Sequence, residues 1–287
     1  MAIVGASGQL GSELVVRFQS AGHDVLPLAR PELDLERPES LDVVPSWRPD
    51  VVVNAAAWTD VDGCALDPER AMRLNGEAAG RVAAVAASTG ALVVQVSTNE
   101  VFDGSVDRPY RETDEPGPIN PYGSSKLAGE RAVAAANARH VIVRTAWLFS
   151  LGQRTFPARI RAAARRAEAA GQALRVVADE FGNPTWTPDL VAVIVRISGI
   201  ALATGVPSIL HAAGWPPASR FEWAEAALAD MRDLRIEPIR LSDYSRPSRV
   251  PPRAVLDVTR ARGLGIEPSD WRGATAALVG DEARTNA

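Results

Sequence analysis

The sequence predicts an α/β protein: a Rossmann-like, doubly wound parallel sheet followed by a smaller C-terminal α/β lobe. Three observations predict it. Short apolar runs alternate with helix-length segments through the first half of the 287 residues, the pattern of parallel strands joined by helical crossovers. A glycine triplet, Gly5, Gly8 and Gly11, lies between the first apolar run and the first helical segment. Val51-Val52-Val53 is apolar at consecutive positions, as expected of a strand covered on both faces.

The elements follow in order. Ile3-Val4 is the first strand, and a helix runs from the glycine turn to about Ser20. Asp24 to Leu28 reads as the second strand and Val51 to Ala55 as the third. A helix is expected from about Pro68 to Thr89, a fourth strand from Ala91 to Val96, a helix from Pro121 to about Ala135, and a fifth strand from His140 to Arg144. The second half is less regular and rich in proline. Residues 1–150 therefore read as a dinucleotide-binding domain and 151–287 mainly as a substrate-binding lobe. A strand and helix near 175–205 are expected to return to the first domain.

Composition narrows the function. The net charge of −4 argues against a sequence-independent nucleic-acid binder, which needs a basic face. Cys64 is the sole cysteine, so no internal disulfide can form and a reducing compartment is the simple reading. No apolar run approaches the length of a membrane span, and no signal segment is evident. The expectation is a soluble, cytoplasmic protein, a monomer or homodimer, without a membrane or nucleic-acid partner and without a metal.

The most specific signal is a single lysine. Of 31 lysine and arginine residues, only Lys126 is lysine, and it follows Tyr122 by four positions. On a helix, i and i+4 share a face. A tyrosine with a pKa near 10 is a poor acid–base group at neutral pH, and a nearby cation favours its phenolate. A compact ammonium also suits a ribose hydroxyl better than a planar guanidinium does.

Other segments converge on a dinucleotide. The Gly5/Gly8/Gly11 turn allows backbone N–H groups to approach a pyrophosphate at a helix N-terminus. The second strand ends Leu28-Ala29-Arg30, with no acid for the adenosine ribose and an arginine that suits a 2′-phosphate. The cofactor reading is NADPH, with NADH left open. Small residues at Asn54-Ala55-Ala56-Ala57-Trp58-Thr59 let a cofactor lie over the sheet edge. In Ser97-Thr98-Asn99-Glu100, Thr98 is placed to hydrogen-bond a carbonyl oxygen that gains charge as hydride arrives. Arg246, Arg249 and Arg253, set among prolines, are the candidate diphosphate cluster, since arginine binds phosphate through bidentate bonds.

Taken together, these features resemble the extended short-chain dehydrogenase/reductases, and more narrowly the dTDP-4-dehydrorhamnose reductase family. The resemblance rests on Gly-x-x-Gly-Gln-Leu-Gly at 5–11, Asn-Ala-Ala-Ala-Trp-Thr-Asp-Val-Asp at 54–62 and Ser-Thr-Asn-Glu-Val-Phe-Asp-Gly at 97–104. It extends through Tyr-Gly-Ser-Ser-Lys at 122–126, Arg-Thr-Ala-Trp-Leu-Phe at 144–149, Asp-Glu-Phe-Gly-Asn-Pro-Thr at 179–185 and Arg-Pro-Ser-Arg at 246–249. It implies that Gly8, Gln9 and Leu10 touch the pyrophosphate, that Asp34 and Leu35 sit near the adenine, and that Ala57, Trp58 and Thr59 lie along the nicotinamide side. It implies Tyr122 as proton donor, Thr98 as the hydroxyl that tunes it, and Lys126 as ribose and pKa partner. Trp147 is expected to pack on the sugar, and position 99 to contact it.

The implied activity is NADPH-dependent reduction of the C4 keto group of a dTDP-linked 4-keto-6-deoxyhexose. One departure bears on the substrate. The family usually reads Ser-Thr-Asp-Tyr-Val-Phe where this chain has Asn99-Glu100. A glutamate there is similar to the nucleotide-sugar 4,6-dehydratases, but Asn99 cannot donate a proton as a carboxylic acid does. An epimerase or dehydratase on the same fold, and a non-catalytic NADP-binding regulatory subunit, stand as the alternatives.

Overall fold

Five consecutive strands, β1 (Ala2–Val4), β2 (Leu26–Leu28), β3 (Val51–Asn54), β4 (Leu92–Thr98) and β5 (His140–Thr145), form one sheet with a sixth at Ile209–His211. The computed structural model describes residues 1–151, 155–204, 208–231 and 233–285. The spatial order runs from the Ile209–His211 strand through β5, β4, β3 and β1 to β2, and every pairing is parallel. Strand order reverses beside β1, so a crevice opens at the carboxyl ends of β1 and β3, where such sheets bind ligands.

The run of three valines in β3 explains the layering. Side chains alternate between the faces of a strand, and all three are fully buried. Val51 and Val53 face a core that includes Leu14 and Phe18 of the helix Gln9–Ser20 and Ile194 and Ile197 of the helix Thr187–Thr204. Val52 faces the opposite core, with Val82 and Ala83 of the helix Ala78–Ser88 and Val133 of the helix Pro121–Ala136. Each such side chain contributes on the order of 1.5–3 kcal/mol of burial.

Two expectations need refinement. The helix foreseen from Pro68 to Thr89 is interrupted by a π-helical turn over Met72–Glu77, between Pro68–Ala71 and Ala78–Ser88. The Tyr122 helix presses on it there: a Cβ added to Gly129 would lie 2.2 Å from the Asn75 carbonyl oxygen. The strand near 175 does not join the large sheet. Leu174–Val177 pairs in parallel with Ile236–Ile239 in the second lobe. The helix Thr187–Thr204 and the strand Ile209–His211 are the parts that pack with the large sheet. The strand that joins the large sheet is Ile209–His211, beyond the expected 175–205 range.

The second lobe has its own core, with Phe149, Trp223 and Trp271 fully buried. Its helix Arg220–Ala227 starts from a capping box made by Ser219 and Glu222. Phe181–Gly182 pairs with Ala218–Ser219, and Leu148–Phe149 pairs with Thr185–Trp186.

Candidate active site

The crevice beside β1 is a cavity of about 430 Å³ whose wall includes Gly5, Gly8, Arg30, Asp34, Leu35, Ala57 and Trp58. The glycines above it have different reasons to be glycine. Gly5 has φ +85°, and a Cβ there would lie 2.7 Å from the Ala56 nitrogen. A Cβ on Gly11 would lie 2.0 Å from the Gly5 carbonyl oxygen. Both are fixed by the packing of turn, strand and helix. Gly8 is the N-cap of the helix Gln9–Ser20 and is exposed. The N–H groups of Gln9 and Leu10 have no backbone partner among the described residues, as expected of a first helical turn. An open glycine cap with free donors at the positive end of a helix fits a pyrophosphate.

Gln9 and Leu10 would act there through their backbone. The Gln9 amide donates to Thr187 Oγ1 at 2.9 Å, and the Leu10 side chain lies in the core. Thr59 is exposed and is not part of this wall. Arg70 is, and sequence reasoning missed it. Its guanidinium lies 5.1 Å from the Trp58 ring centroid and 3.4 Å from Glu36.

The helix Pro121–Ala136 carries both Tyr122 and Lys126. Asn120 caps it, accepting from Gly123 N at 2.7 Å, and Pro121 takes the first position, where a missing N–H costs nothing. Tyr122 and Lys126 are both buried. The Tyr122 hydroxyl lies near enough to Thr98 for that side chain to lower its pKa. Lys126 Nζ donates to the Val96 carbonyl oxygen at 2.7 Å. Asn75, in the π-turn, ties the parts together: its amide accepts from Trp58 N at 2.8 Å and donates to Ser125 Oγ at 3.1 Å. Only glycine fits at 123, where a Cβ would lie 2.0 Å from the Glu100 carbonyl oxygen.

The electrostatics differ from the sequence expectation. Burial raises the Tyr122 pKa above its ordinary value, and the nearby Glu100 charge adds to the rise, while the Thr98 side chain opposes it. Burial also lowers Lys126 to about 8, partly offset by Glu130. The ammonium spends a bond on Val96, so it does not pull the phenol toward neutrality here. Desolvation of a charged form outweighs the neighbouring charge. Tyr122 is held as a neutral phenol, the form that can give a proton.

A second cavity, of about 490 Å³, opens on the far side, and its wall includes Glu180, Arg220, Tyr244 and Arg246. Trp147 adopts φ +45°, and Arg220 covers its ring at 3.6 Å while pairing with Glu180 at 3.0 Å. Glu100 accepts from Asn120 Nδ2 at 2.6 Å. Burial pushes its pKa up to about 7. Asn99 is a cross-link between lobes: it is buried, and its Nδ2 donates to the Ala254 carbonyl oxygen at 2.9 Å.

The proposed arginine cluster does not converge. Arg246 is on the cavity wall but is paired with Asp62 at 3.0 Å. Arg249 is exposed, and Arg253 stacks on Phe181 at 4.1 Å. Three arginines that the sequence did not single out, Arg159, Arg175 and Arg220, line the cavity instead.

A family model described as RmlD substrate binding domain matches residues 1–284. A Burkholderia thailandensis protein named dTDP-4-dehydrorhamnose reductase is 38% identical, covering 97% of both chains. The chain belongs to the dTDP-4-dehydrorhamnose reductase family. Within reach of that family, a Streptomyces antibioticus protein named "Probable dTDP-4,6-dihydroxy-2-methyloxan-3-one 4-ketoreductase" is 38% identical over 95% of this chain and 92% of its own. The crystal structure of a Bacillus anthracis dTDP-4-dehydrorhamnose reductase, solved in complex with NADP, superposes with a TM-score of 0.88 at 28% identity, covering 98% of each chain. Among the described residues no helix is long and apolar enough to cross a membrane.

Proposed function

We propose that the protein reduces the C4 ketone of a dTDP-linked 4-keto-6-deoxyhexose with NADPH, as a cytoplasmic enzyme whose residues 1–150 hold the cofactor and 151–287 mainly the sugar nucleotide. The observation that carries this reading is the burial of Thr98, Tyr122 and Lys126 together at the carboxyl end of β4, where Lys126 reaches the Val96 carbonyl oxygen. The names of the relatives and the bound NADP of the Bacillus anthracis structure support it.

Gly8 and the first-turn N–H groups of Gln9 and Leu10 would hold the pyrophosphate, and Arg30 stands at the mouth of the same cavity. Bound NADPH supplies the hydride. Thr98 and Tyr122 orient the carbonyl oxygen, and Tyr122, kept neutral by burial, gives the proton that the forming alkoxide takes. Lys126, one turn away, would hold the cofactor ribose. Arg220, on the wall of the second cavity, would offer its charge to the rest of the substrate.

A panel of dTDP-4-keto sugars, including dTDP-4-dehydrorhamnose, followed by loss of NADPH absorbance, tests the assignment. Turnover of at least one member is expected. No turnover of any member, together with tightly retained NAD in the purified protein, would point to an epimerase or dehydratase instead.

A further inference from the structure

Reduction of a ketone needs one hydride and one proton, and Tyr122 accounts for the proton. Glu100 is then left without a task. Its Oε2 accepts from Asn120, and Oε1 has no hydrogen-bond partner among the described residues. The arginines nearest in charge are committed elsewhere, Arg246 to Asp62 and Arg220 to Glu180.

Its placement is tightly specified. The Glu100 N–H donates to Thr98 Oγ1 at 3.2 Å, and its carbonyl abuts Gly123 of the Tyr122 helix. Asn120, which holds its carboxylate, is the cap of that helix. Glu100 is therefore fixed beside the two hydroxyls that mark where the ketone oxygen sits. Groups from every neighbouring element face it: Tyr122 and Asn120 from the helix, Cys64 from the helix Val61–Leu66, and Glu180, Arg220 and Arg246 from the second lobe. Burial, then Glu180, raise its pKa, while Asn120, Arg246 and Arg220 oppose them, leaving it at about 7. Both protonation states are then populated at neutral pH, as suits a general base.

Hydrogens on carbons next to a ketone are acidic, more so when the carbonyl oxygen is hydrogen-bonded. Resting on the ketoreductase reading, we propose that Glu100 is a catalytic base that removes and returns a proton at a carbon flanking the C4 ketone. Its carboxylate takes the proton as the C–H electron pair forms a C=C bond and the carbonyl π pair moves onto O4, held by Thr98 and Tyr122. Reversal returns a proton from the carboxyl group to carbon. No oxidant is needed. A single base returns the proton to the face it left, so the net result is exchange with water and no inversion.

The test incubates the full chain with NADP⁺ in place of NADPH and a dTDP-linked 4-keto-6-deoxyhexose in D₂O. The sugar should gain one deuterium at C3 or C5, faster than in a protein-free blank. The rate should climb with pH through about 7, as the carboxylate forms. Glu100→Gln should cut exchange by about 100-fold or more, and NADPH-driven reduction by a smaller factor. Reduction without exchange in the wild type overturns this inference and leaves the ketoreductase standing; absence of both overturns both. Exchange in Glu100→Gln at the wild-type rate also sinks it. Should that variant fail to fold, the wild-type pH profile decides, and a flat profile counts against Glu100.

Discussion

The cofactor cleft and the substrate cavity are built from different materials. The cofactor cleft is shaped by backbone: a glycine turn pressed on β3, a helix end with free N–H groups, and the small residues after β3. The substrate cavity is shaped by side-chain pairs, Arg220 with Glu180 and Arg246 with Asp62, and by Trp147 under a guanidinium. The difference teaches where each is fragile. The first should fail when a carbon atom is added, and the second when a side chain is taken away.

Tyr122 is buried beside Thr98, and its loss should have the largest effect. Tyr122→Phe removes the proton donor but keeps the buried ring. We expect kcat to fall on the order of 10²–10⁴-fold, the range for a general acid, with NADPH affinity and thermal stability close to wild type. A kcat within threefold of wild type, measured with the best sugar of the panel, would take Tyr122 out of the chemistry.

A pair of variants tests the comparison itself. Gly11→Ala puts a Cβ 2.0 Å from the Gly5 carbonyl oxygen, and backbone cannot step aside as a flexible side chain would. Overpacking of this kind costs about 1–3 kcal/mol, sometimes more. Both stability and NADPH affinity should fall. Arg220→Ala strands Glu180 and uncovers Trp147, so KM for the sugar nucleotide should rise while NADPH affinity holds. Isothermal titration with NADPH, beside initial rates in the sugar nucleotide, separates the two. Equal loss of NADPH affinity in both variants would break the distinction.

The same contrast explains what was legible in the sequence. The large-sheet strands through β5 are announced by local apolar runs, and the cleft by glycines in a fixed order, because backbone-built features depend on neighbours in the chain. The Tyr122/Lys126 pair was legible because the chain has one lysine. Arg70, Arg159, Arg175 and Arg220 were not, being four arginines among many. What singles out Arg220 is a carboxylate 40 positions away, and what occupies Arg246 is one 184 positions away. The bond from Asn99 to the Ala254 carbonyl oxygen was not legible either, since it spans 155 positions. The Tyr122 shift was misjudged because spacing reveals a neighbouring charge but not the extent of desolvation.

The smallest effect is expected at Arg30, a side chain of the cleft suited to cofactor choice. Arg30 is exposed at the end of β2, on the cavity wall and close in sequence to Asp34 and Glu36. Arg37, the next arginine along the chain, is turned away, donating to the Pro31 carbonyl oxygen. Arg30 makes no hydrogen bond or ion pair among the described residues, and its removal should not disturb the fold. A solvent-exposed charge contact contributes up to about 1 kcal/mol, roughly fivefold in affinity. Arg30→Ala should therefore weaken NADPH by about that factor and leave NADH unchanged, because only NADPH has the 2′-phosphate. The NADPH effect should fade as salt rises, since exposed charges are screened. Equal losses for both cofactors would mean that Arg30 acts on the shared adenosine, and that the backbone alone, through the turn at Gly8, sets what this cleft accepts.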